Sequence, residues 1–164
     1  MPYLIDGNNV MGRRAVESTD GDAGRRRLLD ELAGFAQAKR VRVMVVFDGA
    51  PLPHFADGAG YKGVRVFYGA RDSNADERIK QIVESSRERR TLIVATSDRA
   101  LGEYVRRCGA QVIRAPELRL RMAEAARRDE EKKGSPTTAS NEPVTEKNVG
   151  AWMRYFGVAP EDDE

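Results

Sequence analysis

The sequence predicts an α/β domain of three layers, in which helices cover both faces of a mostly parallel central sheet of about five strands. Two observations lead to this prediction. Strand-like and helix-like segments alternate along the chain, and the segment 41–47 is an almost continuous apolar run. Such runs are typical of strands that are buried on both faces, and the alternation is typical of parallel sheets with helical crossovers. At 164 residues, one such domain is the simplest arrangement.

The individual elements follow from local pattern. Short apolar runs predict five strands, over 3–6, 41–47, 64–68, 91–96 and 111–114. Apolar residues at spacings of three and four predict the helices, over 25–39, 74–89, 99–107 and 116–133. The segment 49–63 holds four glycines and two prolines. This composition predicts a long irregular loop, which leaves the sheet after Asp48 at the edge where the carboxylates gather.

Composition also divides the chain. We expect a domain over 1–133, a linker over 134–142, a C-terminal helix over 143–158 and an acidic tail over 159–164. We expect the last helix to dock on the domain because it carries an apolar stripe, formed by Val149, Trp152, Met153 and Phe156.

Composition and the N-terminal sequence exclude several classes of protein. No apolar run approaches the ~20 residues that span a bilayer, and we expect no signal peptide, because Asp6 comes before an apolar h-region could form. The single cysteine, Cys108, excludes an internal disulfide and a cysteine-based zinc site. We therefore expect a cytoplasmic protein with no membrane partner. The composition leaves the oligomeric state open.

The charge of the chain is compatible with a polyanionic partner. The formal net charge is +2 although residues 161–164 are all acidic, and arginines outnumber lysines by 22 to 6. Arginine pairs bidentately with phosphate, so nucleic acid would explain this bias. Solvated helix faces and genomic base composition would explain it equally well.

Four aspartates form the main candidate site. Asp6 and Asp48 each end a predicted strand directly before a glycine, Asp98 follows another strand, and Asp76 lies in the first turn of a predicted helix. The carboxyl ends of parallel strands meet at one edge of a sheet, so these carboxylates should converge there. Gathered carboxylates repel one another unless they share a cation.

Each aspartate also has a structural interpretation. Asp98 could be a helix N-cap, and Asp76 could favour the dipole of a helix that Asn74 caps. Asp6 and Asp48 could form local turns, although no helix is expected directly after Asp6. Capping does not explain why Asp6 and Asp48 recur at equivalent strand ends.

Oxygen ligands of this kind suit Mg²⁺ or Mn²⁺. The Asn9 amide is a further candidate ligand beside the carboxylates, and the only histidine, His54, cannot build a zinc site alone.

The motifs resemble those of YacP-type NYN domains, which belong to the PIN-like nuclease superfamily. They are Asp-Gly-x-Asn at 6–9, Phe-Asp-Gly at 47–49, Ala-Asp-Glu at 75–77 and Thr-Ser-Asp at 96–98, followed by Trp-Met-Arg-Tyr-Phe-Gly at 152–157. The resemblance implies a PIN-like α/β/α sandwich and an endoribonuclease that hydrolyses phosphodiester bonds of single-stranded RNA with Mg²⁺ or Mn²⁺. It also implies an association with the ribosome, where the substrate would be mRNA. Asn8 departs from the family, in which tyrosine is common at this position.

On this resemblance, Asp6, Asp76 and Asp98 are the expected metal ligands. Asp48 would be a further ligand or an acceptor behind them, and Asn9 would orient a carboxylate or a water. Basic and aromatic residues close to these motifs are the expected RNA contacts, although a solvated surface explains the basic ones equally well: Arg13, Arg14, Tyr61, Lys62, Arg71 and Arg99.

Two other classes stay open. One is an RNA- or ribosome-binding module with little or no catalysis, whose aspartates serve mainly as turn and cap residues. The other is a phosphatase-like or receiver-like domain, which also gathers aspartates at strand ends. The phosphatase pattern would need a second aspartate two positions after Asp6, and residue 8 is asparagine.

Overall fold

The computed structural model of the chain describes residues 1–12, 21–69 and 74–134. It divides the chain into two units, Met1–Glu131 and Lys132–Glu164. The description below concerns the first unit and the end of its last helix. The expected linker, C-terminal helix and acidic tail lie outside the described residues almost entirely, so the domain boundaries stay a prediction.

The described residues form six strands and five helices. The strands are β1 (Pro2–Asp6), β2 (Arg42–Phe47), β3 (Ala59–Tyr61), β4 (Val64–Tyr68), β5 (Ile93–Ala95) and β6 (Gln111–Ile113). The helices are α1 (Gly7–Met11), α2 (Gly21–Lys39), α3 (Ala75–Ser85), α4 (Arg99–Arg107) and α5 (Ala115–Gly134).

The strands make one sheet in the order β3-β4-β2-β1-β5-β6. Every neighbouring pair is parallel except β3 and β4, which are antiparallel. The sheet is therefore mixed but mostly parallel, as predicted, with one more strand than expected. The additional strand β3 lies inside the segment 49–63, whose composition predicts an irregular loop throughout.

Two apolar layers separate the sheet from its helices. One face packs against α2 and α5, and the opposite face packs against α3 and α4. Alternate residues of β1 divide between these layers: Ile5 packs in the first and Leu4 in the second, and both are fully buried. The apolar side chains predicted to form the inner face of α2 are all buried: Leu28, Leu29, Leu32, Phe35 and Ala36. The three-layer prediction is confirmed.

A short helix that the sequence did not predict begins directly after β1. A Cβ atom on Gly7, the first residue of α1, would lie 2.5 Å from the Phe47 ring. Only glycine lets the chain pass so close to the end of β2. The expectation that no helix follows Asp6 was wrong, because this contact and not helix propensity decides the local path.

Candidate active site

The four aspartates belong to one edge of the sheet, where the parallel strands end. β1 lies between β2 and β5 in the sheet. The chain leaves β1 towards α2 on one face and leaves β5 towards α4 on the other. The crevice between two strands whose connections diverge in this way is the usual ligand site of open α/β sheets. Asp6 and the segment 96–98 border this crevice.

Asp6 is the most buried of the four, with a relative exposure of 5%. It occupies the N-cap position of α1, but its side chain caps no backbone N–H of that helix. One carboxylate oxygen instead accepts a hydrogen bond from the Thr96 hydroxyl at 3.0 Å. Burial raises the pKa of Asp6 to about 6; the Thr96 hydrogen bond opposes this shift, and the charges of Asp76 and Asp48 add to it. The ionised form of Asp6 therefore destabilises the native state. A bound cation would relieve this cost.

Two adjacent asparagines connect the end of β1 to the strands on either side. The Asn8 side-chain oxygen accepts a hydrogen bond from the backbone N–H of Asp48 at 3.1 Å. The Asn9 side-chain oxygen accepts one from the backbone N–H of Ser97 at 2.8 Å. The pair fixes the loops that follow β2 and β5 relative to Asp6. The oxygen of Asn9 is therefore engaged in positioning the loop after β5, and the hydrogen bond from Ser97 occupies one of its two lone pairs.

Asp48 is tied to helix α3. Its side chain accepts a hydrogen bond from the backbone N–H of Ala75, the first residue of that helix, at 2.6 Å. Arg25 donates to the backbone carbonyl oxygens of Asp48 and Ala50 and stacks over the Phe47 ring. Asp48 thereby positions the first turn of α3, which carries Asp76.

Asp98 caps helix α4. Its side chain accepts a hydrogen bond from the backbone N–H of Leu101 at 3.1 Å. Its own backbone N–H donates to the Thr96 hydroxyl oxygen at 3.1 Å. Thr96 therefore joins Asp98 to Asp6 through one hydroxyl group. The capping interpretation of Asp98 is confirmed as a structural role, and its second carboxylate oxygen is not used by the cap.

Asp76 lies half-buried in the first turn of α3, where Asn74 is the N-cap and accepts from the Glu77 N–H at 3.0 Å. Burial raises the pKa of Asp76, and the charges of Asp98 and Asp48 raise it further. Hydrogen bonds link the segments that carry the four carboxylates: Ala75 donates to Asp48 beside Asp76, and Thr96 joins Asp6 to Asp98.

The donor chemistry of this neighbourhood suits a hard divalent cation. The groups are carboxylates, several of whose oxygens are left over by the capping and positioning bonds, and their mutual repulsion would be relieved by positive charge. Within the described ranges, however, no three acidic, histidine or cysteine side chains approach one another as a ready metal site. The residues fit a divalent ion in type and charge, and binding would require them to draw closer.

The predicted RNA contacts are spread more widely. Arg13, Arg14 and Arg71 lie outside the described residues. Arg99 is exposed at the start of α4, next to Asp98.

Tyr61 and Lys62 lie elsewhere, at the turn between β3 and β4. Since Val64 pairs with Val43 near the start of β2, this turn is at the amino edge of the sheet, opposite the aspartates. The Tyr61 hydroxyl donates to Asp30 at 2.6 Å, and Lys62 lies over the Tyr61 ring. The structure does not bring these two residues to the candidate site.

Sequence reasoning missed three residues that organise the site: Asn8, Arg25 and Thr96. In the sequence Asn8 stands out only as a departure from tyrosine, although an Asn-Asn pair after a strand end is a recognisable source of side-chain bonds to nearby loops. Thr96 belongs to the Thr-Ser-Asp motif, but the motif alone gives its hydroxyl no role. Arg25 had no sequence signal, because its partners lie 23 and 25 residues away.

Within the described ranges, none of the helices is both long enough and apolar enough to cross a membrane.

Comparison with known proteins gives a consistent result. The profile of the YacP-like NYN domain matches residues 3–155. The crystal structure of Rae1 (YacP) from Bacillus subtilis is 22% identical, with a TM-score of 0.70, and the match covers 96% of this chain and 91% of that one. A crystal structure of a tryptophan-to-leucine mutant of the same Bacillus subtilis protein is 24% identical, with a TM-score of 0.69, over 91% and 89% of the two chains. A comparison with curated proteins gave no significant match.

Proposed function

The chain belongs to the YacP-like NYN family, and from this premise we propose that it is a metal-dependent endoribonuclease that hydrolyses phosphodiester bonds of single-stranded RNA. Membership implies a PIN-like ribonuclease, and nucleases of the family generally use divalent metals. The observation that carries the proposal is the buried Asp6 carboxylate. It is held at the crevice between β1 and β5, with a pKa raised to about 6, beside the charges of Asp76 and Asp48.

The energetic argument begins with the cost of Asp6. A shift of its pKa from 3.8 to about 6 corresponds to about 3 kcal/mol of instability when the carboxylate is ionised in the native state. The Thr96 hydroxyl and the backbone of Asn9 offset this cost only in part, and no ion pair in the described part of the chain involves Asp6. A site that keeps such a group charged at neutral pH is matched to a cationic ligand.

Asp6, Asp76 and Asp98 would hold the ion or ions. Asp48 would support the site indirectly, by positioning the first turn of α3. Metal chemistry at such a site lowers the pKa of a bound water and neutralises charge on the scissile phosphate. The protein's own part is positioning. Thr96 fixes one oxygen of Asp6, Asn9 fixes the loop that carries Asp98, and Asp48 fixes the turn that carries Asp76.

The test is cleavage of single-stranded RNA by the full chain in Mg²⁺, in Mn²⁺ and in chelator, without ATP. We expect internal cuts only with metal. Asp6→Asn should abolish them, because it keeps size and hydrogen-bonding capacity but removes charge. Glu84→Gln removes the same charge from an exposed residue near the other end of α3 and should cut like the wild type. Undiminished cleavage by Asp6→Asn would place the chemistry elsewhere or reveal a contaminant.

A binding module with little or no catalysis is the second candidate, and one specific observation favours it. One carboxylate oxygen of Asp48 and one of Asp98 each accept a hydrogen bond from a helix N-terminus, as in purely structural aspartates. The two functions differ in their response to metal. An enzyme should be stabilised by millimolar Mg²⁺ or Mn²⁺, by about 2.7 kcal/mol at 100 times the dissociation constant. A binder should melt identically in metal and in chelator, bind RNA, and never cut it.

The ribosome remains a proposed setting for either function. Cleavage of the same RNA, free and within stalled ribosomes, would decide whether ribosomal context is needed.

A further inference from the structure

A groove of about 360 Å³ begins at the candidate active site and continues along one side of the domain. Its inner end is formed by Thr96, Ser97 and Asp98, which follow β5. Its walls are helix α4 and the strand β6, which is the last strand of the sheet on that side. The groove is thus an outward extension of the crevice that holds Asp6.

The charge of this groove differs from that of the crevice. Three arginines line it: Arg99 and Arg106 on α4, and Arg114 directly after β6. All three are exposed, and none makes an ion pair or a side-chain hydrogen bond within the described part of the chain. By contrast, Arg78, Arg119 and Arg121 are each paired with a carboxylate. The groove therefore presents unpaired cations to a ligand.

Helix geometry spaces these cations along the groove. Arg99 and Arg106 are seven residues apart, so they lie on the same face of α4, about 10 Å apart along its axis. Arg114 faces the same space from the opposite wall. Gly102 lies between the two arginines on that face, and a Cβ there would already be 3.5 Å from the Val112 side chain. That distance is an ordinary van der Waals contact, so α4 and β6 pack closely at Gly102, which lines the groove without a side chain.

The lining of the groove offers no aromatic surface on which a base could stack, since none of the described residues that line it is aromatic. Its cations are arginines, which bind phosphate in a planar, bidentate way. Contacts to phosphate fix the position of a strand without selecting its sequence.

We propose that this groove holds the phosphate backbone of the RNA strand beside the cleavage site, through Arg99, Arg106 and Arg114, independently of sequence. The inference rests on the proposed ribonuclease function and extends it to Arg106, Arg114 and the course of the substrate. The exposed carboxylate of Glu103 lies in the same groove, one turn from each helical arginine, and opposes phosphate binding.

The test measures binding apart from cleavage, with the full chain in chelator and fluorescently labelled oligouridine and oligoadenine at several salt concentrations. Arg106→Ala combined with Arg114→Ala should weaken binding by roughly 20-fold at 0.1 M salt, because about 0.7 of the log–log salt slope is lost for each phosphate contact on a single strand. The loss should be the same for both RNAs. Arg89→Ala combined with Arg90→Ala removes the same charge from exposed residues before β5, at the other edge of the sheet, and should change binding much less.

Glu103→Gln should have the opposite effect on affinity, because removing its negative charge should tighten RNA binding several-fold. Equal losses in the two double-arginine variants, or a loss confined to one RNA sequence, would overturn the groove assignment. No measurable RNA binding by the wild type would overturn it as well.

Cleavage by the wild type, assayed separately with metal, distinguishes the two proposals. If the groove variant binds RNA weakly and the wild type does not cleave it, the groove assignment stands and the ribonuclease proposal fails. If the wild type cleaves RNA and the groove variant binds it as tightly as the wild type does, the ribonuclease proposal stands and the groove assignment fails.

Discussion

β1 and β5 are neighbours in the sheet, and each brings an aspartate to the N-cap position of the helix that follows. Asp98, after β5, accepts a hydrogen bond from the third residue of α4. Asp6, at the end of β1, makes no such bond to α1 and is more deeply buried. The same local arrangement therefore gives a capping hydrogen bond at Asp98, whereas at Asp6 the backbone of α1 offsets the effect of burial only in part.

This difference separates structural from functional use of a carboxylate. The helix N-terminus offsets the desolvation of a capping aspartate, so the hydrogen bond from Leu101 alone accounts for the position of Asp98. Asp6 has only the Thr96 hydroxyl and the backbone of Asn9 to stabilise its charge, and these do not prevent its pKa from rising to about 6. A buried carboxylate that destabilises the fold at neutral pH is best explained by a functional role, here the binding of a cation.

The strongest test of the comparison asks whether Asp98 also has the second role. Asp98→Ser keeps a capping oxygen but removes the carboxylate. If Asp98 is a metal ligand as well as a cap, cleavage should fall about 1,000-fold, or about 4 kcal/mol in the activation barrier. The free energy of unfolding should change by no more than about 0.5 kcal/mol, because serine and aspartate cap helices similarly. Single-turnover cleavage and urea unfolding measure the two effects. Wild-type cleavage by this variant would confine Asp98 to capping.

The next test uses pH and concerns Asp6. Its pKa is higher in the native state, about 6, than the 3.8 expected in an unfolded chain. Its contribution to stability is therefore fully present below about pH 4 and is lost as the pH rises through 6, by about 3 kcal/mol in total. Urea unfolding in chelator should show this decline, and Asp6→Asn should reduce it and be more stable than the wild type at pH 8. If the free energy of unfolding of the variant depends on pH as that of the wild type does, ionisation of Asp6 is not the source of the decline.

The layers of the fold were predictable because they depend on local periodicity. The continuous apolar run of β2 and the three-and-four spacing in α2 indicate their burial without any knowledge of partners. Strand β3 was missed because Ala59, Gly60 and Tyr61 have no strand pattern of their own. They become a strand by pairing with β4 across a turn in which Lys62 and Gly63 both have positive φ angles.

The convergence of the four aspartates could be predicted, but the hydrogen bonds that position them could not. The rule for parallel sheets was enough to bring Asp6, Asp48, Asp76 and Asp98 together. The bond from the Ala75 N–H to Asp48 spans 27 residues, and the bond from the Asp48 N–H to Asn8 spans 40, so neither leaves a local signal.

The misplacement of Tyr61 and Lys62 has a simple cause. β2 and β4 are parallel, so the segment that joins them must cross from the carboxyl edge of the sheet to the amino edge. Only the beginning of that segment lies beside the aspartates.

Thr96 lies between the two aspartates of the comparison, and its removal should affect them unequally. Thr96→Val keeps the shape of the side chain and removes the hydroxyl that donates to Asp6 and accepts from the Asp98 N–H. We expect a loss of about 2 kcal/mol at pH 8, the scale of a hydrogen bond to a charged group. The loss should be smaller at pH 4, where Asp6 is protonated in the native state. Urea unfolding at both pH values measures this, and an equal loss at each would mean that the backbone bond matters more than the charge.

The smallest expected effect concerns the cap itself. Asn74→Ala removes the neutral cap of α3, whose oxygen accepts from the Glu77 N–H, and should cost about 1 kcal/mol. Asp98→Ala removes the equivalent bond to Leu101 but also removes a charge that repels Asp76. Its cost in chelator at neutral pH should therefore be smaller than that of Asn74→Ala. Asp98→Asn keeps the cap without the charge and should be at least as stable as the wild type. Matched urea titrations of the three variants decide the point. If Asp98→Ala lowers the free energy of unfolding by more than Asn74→Ala does, the repulsion between Asp98 and Asp76 is negligible. Asp98 would then be a purely stabilising cap, in stronger contrast to the destabilising Asp6 carboxylate.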